Sequence, residues 1–175
     1  MLAATPPCPV HLAGKRIVDA AGRTTYRYPG NFAPRAEIRC SGGVVWVLLH
    51  GGAASSQELY LGLRSADRGT TWKLLLAEPY FGIKAPFTID SYSGPWTIVG
   101  ANAAYFVGWC PACGTYGTMS LTVTLDGGRR FRHYAIRGST GFRGTSVRVS
   151  GATVTIGARS VLKTGPRTRT FTVHA

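Results

Sequence analysis

Apolar positions fall in short runs broken by glycine, proline and serine, and no stretch keeps a helical period. Residues 38–49, 96–108 and 147–157 share one form: strand, turn of small residues, strand. The first of these carries the most apolar run, 42–49, which is of strand length and far short of the roughly 18–20 residues a membrane-spanning helix needs. A second pattern stands behind the first. Residues 58–64 and 72–77 read as strands flanking a tight turn at 65–72, which makes a β-hairpin. Weaker strand signals at 15–29 suggest a lone strand pair at the start. Residues 53–59 support at most one helical turn.

The turn reads Ser65-Ala-Asp67-Arg-Gly69-Thr-Thr-Trp72. Ser65 and Asp67 are residues whose side-chain oxygens fold back onto backbone N–H groups. Gly69 tolerates a backbone conformation that other residues resist, and Trp72 is placed to bury its ring beneath the turn. The string returns at Thr124-Leu-Asp126-Gly-Gly128-Arg-Arg-Phe131, with hydroxyl, Asp, Gly and closing aromatic at the same offsets. Fainter copies lie at 20–26, closed by Tyr26, and at 164–171, closed by Phe171. In the last of these Pro166 stands where Asp is expected.

The repeated string resembles the Asp-box, or bacterial neuraminidase repeat, of sialidases and related β-propellers. In phase with it, each strand–turn–strand unit precedes a hairpin, giving four strands per unit, the size of a propeller blade. The expectation is an all-β fold of about three and a half four-stranded Asp-box blades, a partial or small β-propeller in one repeat domain spanning 1–175. Blades are expected at 36–77, 96–136 and 145–173, with a partial blade at 15–29. A partial ring leaves unpaired strand edges, which invite self-association. The resemblance assigns Ser65, Asp67, Gly69, Trp72, Thr124, Asp126, Gly128 and Phe131 to the structure of the turns, away from a central pocket.

Composition supports this class. The 175 residues include 23 Gly and 10 Pro, with 45% hydrophobic and 15% charged positions, which suits a turn-rich β protein and not a disordered chain. Charge changes the picture more. The net charge is +13, from 20 Lys and Arg against 7 Asp and Glu. Residues 127–175 contain ten of the basic side chains and no acid, so residues 1–126 carry ten basic and seven acidic, a net +3. A segment of this kind attracts polyanions. Arg129, Arg130, Arg132, Arg137, Arg143 and Arg148, interleaved with Phe131 and Tyr134, form a candidate anion-binding set. Strand alternation puts Arg130, Arg132 and Tyr134 on one side, with Phe131 and His133 on the other. An acidic glycan, another acidic polymer or a protein partner fits these residues, and nucleic acid stays open.

Four cysteines, at 8, 40, 110 and 113, allow three pairings and suit an exported protein. Residues 1–8 lack the basic and apolar segments of a signal peptide. An extracellular or cell-surface location after removal of a leader is expected, with the cytoplasm as the alternative. Trp109-Cys110-Pro-Ala-Cys113 resembles the active-site string of thioredoxin-like oxidoreductases, but no amphipathic helix follows to lower the thiol pKa. The expectation is a Cys110–Cys113 disulfide, or a free pair, at the tip of a long hairpin; a redox role and a zinc site are the alternatives. The histidines and remaining cysteines show no paired ligand spacing, so no metal is expected. No glycine-rich loop opens a helix, and no cofactor is implied.

Sialidases use an arginine triad, a Tyr nucleophile assisted by Glu, and an Asp acid, with an F/Y-R-I-P string near the start. Phe32-Ala-Pro-Arg35 is not that string. With Asp67 and Asp126 assigned to turns, the remaining acids are Asp19, Glu37, Glu58, Glu78 and Asp90, and no carboxylate pair across a substrate can be placed among them. His50 reads as a turn position at a strand end. No catalytic residue is assigned. The resulting expectation is a non-catalytic binding module; a sialidase-like glycoside hydrolase fragment lacking part of its active site is the alternative.

Overall fold

A computed structural model describes residues 8–54, 57–79, 82–162 and 164–175. The protein is all-β: 14 strands in four antiparallel sheets, with no α-helix among the described residues. The first sheet holds β1 (Val10–Ala13), β2 (Arg16–Asp19) and β3 (Thr24–Arg27). The second holds β4 (Arg35–Ser41), β5 (Val44–Ala54), β6 (Gln57–Ser65) and β7 (Lys73–Ala77). The third holds β8 (Tyr92–Val99), β9 (Ala103–Cys110), β10 (Thr118–Thr124) and β11 (Arg132–Ala135). The last holds β12 (Phe142–Ser150), β13 (Thr153–Ser160) and β14 (Thr168–His174). Every sheet is a meander in chain order.

Two expectations about strand number need correction. The first sheet begins at Val10 and has three strands where a pair at 15–29 was expected, and the last has three where four were expected. In the last, the faint copy at 164–171 does not form a turn ahead of a fourth strand. Phe171 sits inside β14 opposite Ile156, buried in the core against Phe142. Without Asp, and with Pro166 in its place, the segment lacks the acceptor that would close the turn. Residues 53–59 form the ends of β5 and β6 around Ser55 and Ser56, which lie outside the described residues.

The sheets stack in series, because the inner ones are apolar on both faces. Val45, Val47, Leu49, Leu61 and Leu63 face the first sheet, where they meet Val10, Ile17 and Tyr28. Their neighbours Val44, Trp46, Leu48 and Tyr60 face the third sheet and meet Trp96, Ala104 and Phe106. Tyr105, Val107, Leu121 and Val123 then face the last sheet and meet Val154, Ile156 and Phe171. Strand alternation thus feeds two cores at once, which is why 42–49 reads as a continuous apolar run. The last sheet has an apolar face on one side only. On β12 and β13, Arg148 and Thr155 point away from the core, opposite each other.

The two full copies of the repeated turn occupy equivalent places in different sheets, between the third and fourth strands. In the first, Ser65 Oγ donates to Asp67 Oδ1 at 2.7 Å and accepts from Gly69 N at 2.7 Å, while Thr71 N donates to Asp67 Oδ1 at 2.9 Å. In the second, Thr124 Oγ1 donates to Asp126 Oδ1 at 3.0 Å and accepts from Gly128 N at 2.9 Å, while Arg130 N donates to Asp126 Oδ1 at 3.0 Å. Arg68 and Gly69 have φ of 60° and 90°, and Gly127 and Gly128 have 73° and 81°. Each turn is pressed onto the sheet before it. A Cβ on Gly69 would lie 2.2 Å from Val10 Cγ1, and one on Gly128 would lie 2.4 Å from Leu75 Cδ1. The closing aromatics follow suit: Trp72 joins the core between the first two sheets, and Phe131 stacks on Phe87 at 5.0 Å.

Candidate functional site

On β4 the polar residues Arg35, Glu37 and Arg39 alternate with Ala36, Ile38 and Cys40. The pleat sends the apolar set into the core and the charged set to the other face. That face borders a cleft of about 610 Å³. The second sheet contributes Arg35, Glu37, Arg39 and His50, and the third contributes Ser93, Gly94 and Pro95. The last contributes Arg143, Gly144, Thr145, Arg159 and Ser160, with Val161 beyond it. The first strands of these three sheets, β4, β8 and β12, all line it.

Three register irregularities meet here, between His50 and Ala53, Ser93 and Trp96, and Gly144 and Ser146. Bulges bend a strand and re-aim its side chains, and they gather beside functional sites. Gly144 also permits close approach: a Cβ there would lie 2.8 Å from Val107 Cγ1 and 3.2 Å from Pro95 Cδ.

Glu37 holds one wall together. Its carboxylate accepts from Trp96 Nε1 at 2.9 Å and Arg35 Nη1 at 2.8 Å, and Arg39 Nη2 lies 3.7 Å away. Arg39 in turn covers the Trp96 ring at 4.5 Å. Beneath Glu37, His50 is only 8% exposed. Its Nδ1 lies 2.9 Å from Glu58 Oε1 and 3.0 Å from Ser93 Oγ. Its Nε2 faces Glu37 Oε1 at 3.3 Å without a well-formed hydrogen bond. Ser93 donates twice to Glu58 Oε2, from Oγ at 2.7 Å and from N at 3.0 Å. Burial works to raise the Glu58 pKa, but hydrogen bonds from His50 and Ser93 outweigh it and hold the carboxyl below its ordinary range. His50, expected at a turn, lies inside β5 and is part of this buried network.

Opposite stands a wall of a different character. Arg143 lies over the rings of Tyr92 and Trp109, at 5.9 and 5.3 Å from their centroids. Arg159 is its register partner on β13. Among the described residues neither is ion-paired with a carboxylate.

The six arginines grouped from the sequence do not form one surface. Arg129 and Arg130 give their backbone N–H groups to Asp126 and expose their side chains at the turn, with Arg132 exposed on β11. Arg137 is exposed in the connection to β12, and Arg148 is exposed on the outward side of the last sheet. Only Arg143 reaches the cleft, where it joins Arg35, Arg39 and Arg159. The alternation of Arg35, Glu37 and Arg39 was visible in the sequence; the arrival of Arg159 beside them was not. Phe131, just ahead of β11, and His133 on it share a side, both near Phe87.

The cysteines form two disulfides, Cys8–Cys40 and Cys110–Cys113. The second closes the tip between β9 and β10, and a strand at Thr118–Thr124 occupies the place a redox helix would need. Among the described residues no cluster of His, Cys, Asp and Glu could hold a metal, and no helix is long and apolar enough to cross a membrane. No protein-family model, curated protein or solved structure matches the chain.

Proposed function

We propose that this chain is a non-catalytic binding module of the Asp-box propeller type, exported from the cell, whose central cleft receives an acidic glycan, another acidic polymer or an acidic segment of a partner protein. One observation carries the reading. Arg35, Arg39, Arg143 and Arg159 converge on a single cleft in which Glu37 is the one carboxylate among the described lining residues. Arginine forks match oxyanions in geometry as well as charge. The reading of the sheets as blades of a small or incomplete propeller draws support from their serial stacking, the equivalent turns and the shared cleft. Export draws support from two disulfides and no free cysteine.

Retention on immobilised heparin across a salt gradient tests the module. Binding of the proposed kind weakens as salt rises and is reduced by Arg39→Ala, Arg143→Ala and Arg159→Ala more than by Arg129→Ala, Arg130→Ala and Arg132→Ala together. Retention indifferent to salt and to all six substitutions removes the proposal. The arginine cluster also favours the sialidase-like fragment as a second reading, and cleavage of a fluorogenic sialoside would replace the binding module with it.

A further inference from the structure

We infer that Arg143 and Arg159 together seat a tetrahedral oxyanion ester, a sulfate or phosphate group carried on the ligand, in preference to a carboxylate. The inference rests on the binding-module reading and narrows its ligand.

Arg143 and Arg159 stand directly opposite each other on β12 and β13. Opposed residues of an antiparallel pair have Cα atoms about 4.5–5.5 Å apart and send their side chains off the same face. Like charges in that relation repel. Across the cleft, the positive charge of Arg35 and Arg39 is offset by Glu37. No carboxylate among the described residues does this for Arg143 and Arg159. The sheet therefore tolerates, at this cleft, a pair of cations with no carboxylate partner among the described residues. Arg143 is also braced by the Tyr92 and Trp109 rings, so it meets a ligand from a fixed direction.

Geometry then selects the anion. A carboxylate is planar, and its two oxygens are satisfied by one guanidinium fork. Two forks rooted on neighbouring strands approach from different directions and suit an anion with three free oxygens in a pyramid. Such a group gives each arginine an edge and leaves an oxygen for a hydroxyl donor. Thr145 and Ser160 line the same wall. Ser160 Oγ already accepts from Leu162 N at 3.1 Å, which leaves its O–H proton for an anion.

The test uses the full chain and three probes at constant ionic strength: inorganic sulfate, inorganic phosphate and acetate. Thermal stability should rise with sulfate or phosphate and not with acetate. Arg143→Ala and Arg159→Ala should each weaken the response about tenfold or more, as expected on losing a charged hydrogen-bonding partner. Lys73→Ala, on the far strand of the second sheet, should not. Arg159→Ala without ligand should melt no lower than the parent, because a repulsion has been removed and, among the described residues, no ring or ion-pair contact of Arg159 is lost with it; a lower melting point would overturn the opposed-pair argument. Polymers separate the two levels of the claim. Heparin bound and polygalacturonate ignored supports the inference through sulfate, and a starch esterified with phosphate monoesters bound alone supports it through phosphate. Arginine-dependent binding of polygalacturonate with no response to sulfate or phosphate overturns the inference but leaves the binding module standing. Failure of every polymer overturns both.

Discussion

Trp72 donates its indole N–H to Thr25 Oγ1 at 3.0 Å, across 47 residues of sequence, and so ties the repeated turn of the second sheet to the last strand of the first. The bond belongs to a wider arrangement in which each turn is stabilised by the sheet before it. Trp72→Phe keeps most of the ring and loses only the donor, and should cost about 1 kcal/mol in urea unfolding. Thr25→Val should cost a similar amount. The double variant should lose little more than either single one, as for residues sharing one interaction. Fully additive losses would show that the two side chains act separately.

Asp67 makes the first turn sensitive to acid. Hydrogen bonds from Thr71, through its hydroxyl and its backbone, and from the Ser65 hydroxyl hold its pKa down at about 2, against an ordinary 3.8. A carboxylate with a depressed folded-state pKa stabilises fully above its unfolded value, and that stabilisation is lost as pH falls through the folded one. Asp67→Asn should therefore melt below the parent at pH 7, with the gap closing between pH 4 and pH 2. Asp126 is lowered by the N–H of Arg130 and by Thr124 and Arg129 in the same manner, against the opposing effect of burial, and Asp126→Asn should follow the same trend. A gap unchanged at pH 2 would contradict the assignment.

The two disulfides should differ in worth because they close loops of different length. Cys8–Cys40 spans 32 positions and joins the segment ahead of β1 to the first strand of the second sheet. Chain entropy assigns such a loop about 3–4 kcal/mol, and a loop of the Cys110–Cys113 kind, which spans 3 positions, about 2 kcal/mol. Replacing each pair by serine and measuring urea unfolding checks the order. A larger loss from Cys110 and Cys113 would show that their hairpin tip holds more structure than its loop.

Glu37 and Gly144 shape the cleft in opposite ways. Glu37→Gln removes the carboxylate that offsets Arg35 and Arg39, while keeping an acceptor for Trp96. Retention on heparin should rise, with a stability loss of about 1 kcal/mol or less from the partly exposed ion pairs. Gly144→Ala puts a methyl group against Val107 and Pro95, and should cost about 1–3 kcal/mol as an overpacked contact. Weaker retention by Glu37→Gln would mean that the carboxylate itself holds the ligand.

Much of this protein was legible along the chain, since strand alternation and turn chemistry are local properties. The strings at 65–72 and 124–131 carry their own acceptors and glycines, so each specifies its turn without help from a distant residue. The apolar runs marked the strands, which the structure buries on both faces. The copy at 20–26 does follow a turn, in which the Asp19 carboxylate accepts from Ala21 N and Arg23 N and Tyr26 packs on the core. The copy at 164–171 misled, because a closing aromatic without its Asp fixes no turn, and Phe171 was drawn into a strand by burial against Phe142. The clustering of basic residues misled in a different way. Proximity in sequence grouped Arg129 with Arg148, whereas bulges and sheet stacking set Arg143 beside Arg159 and opposite Arg35 and Arg39. The sequence by itself determined the strands, the two turns and the excess of positive charge. Only the tertiary structure decided which charges face one another, because a side chain's partners across a cleft depend on the register of three separate sheets, and register is set by cores no single segment contains.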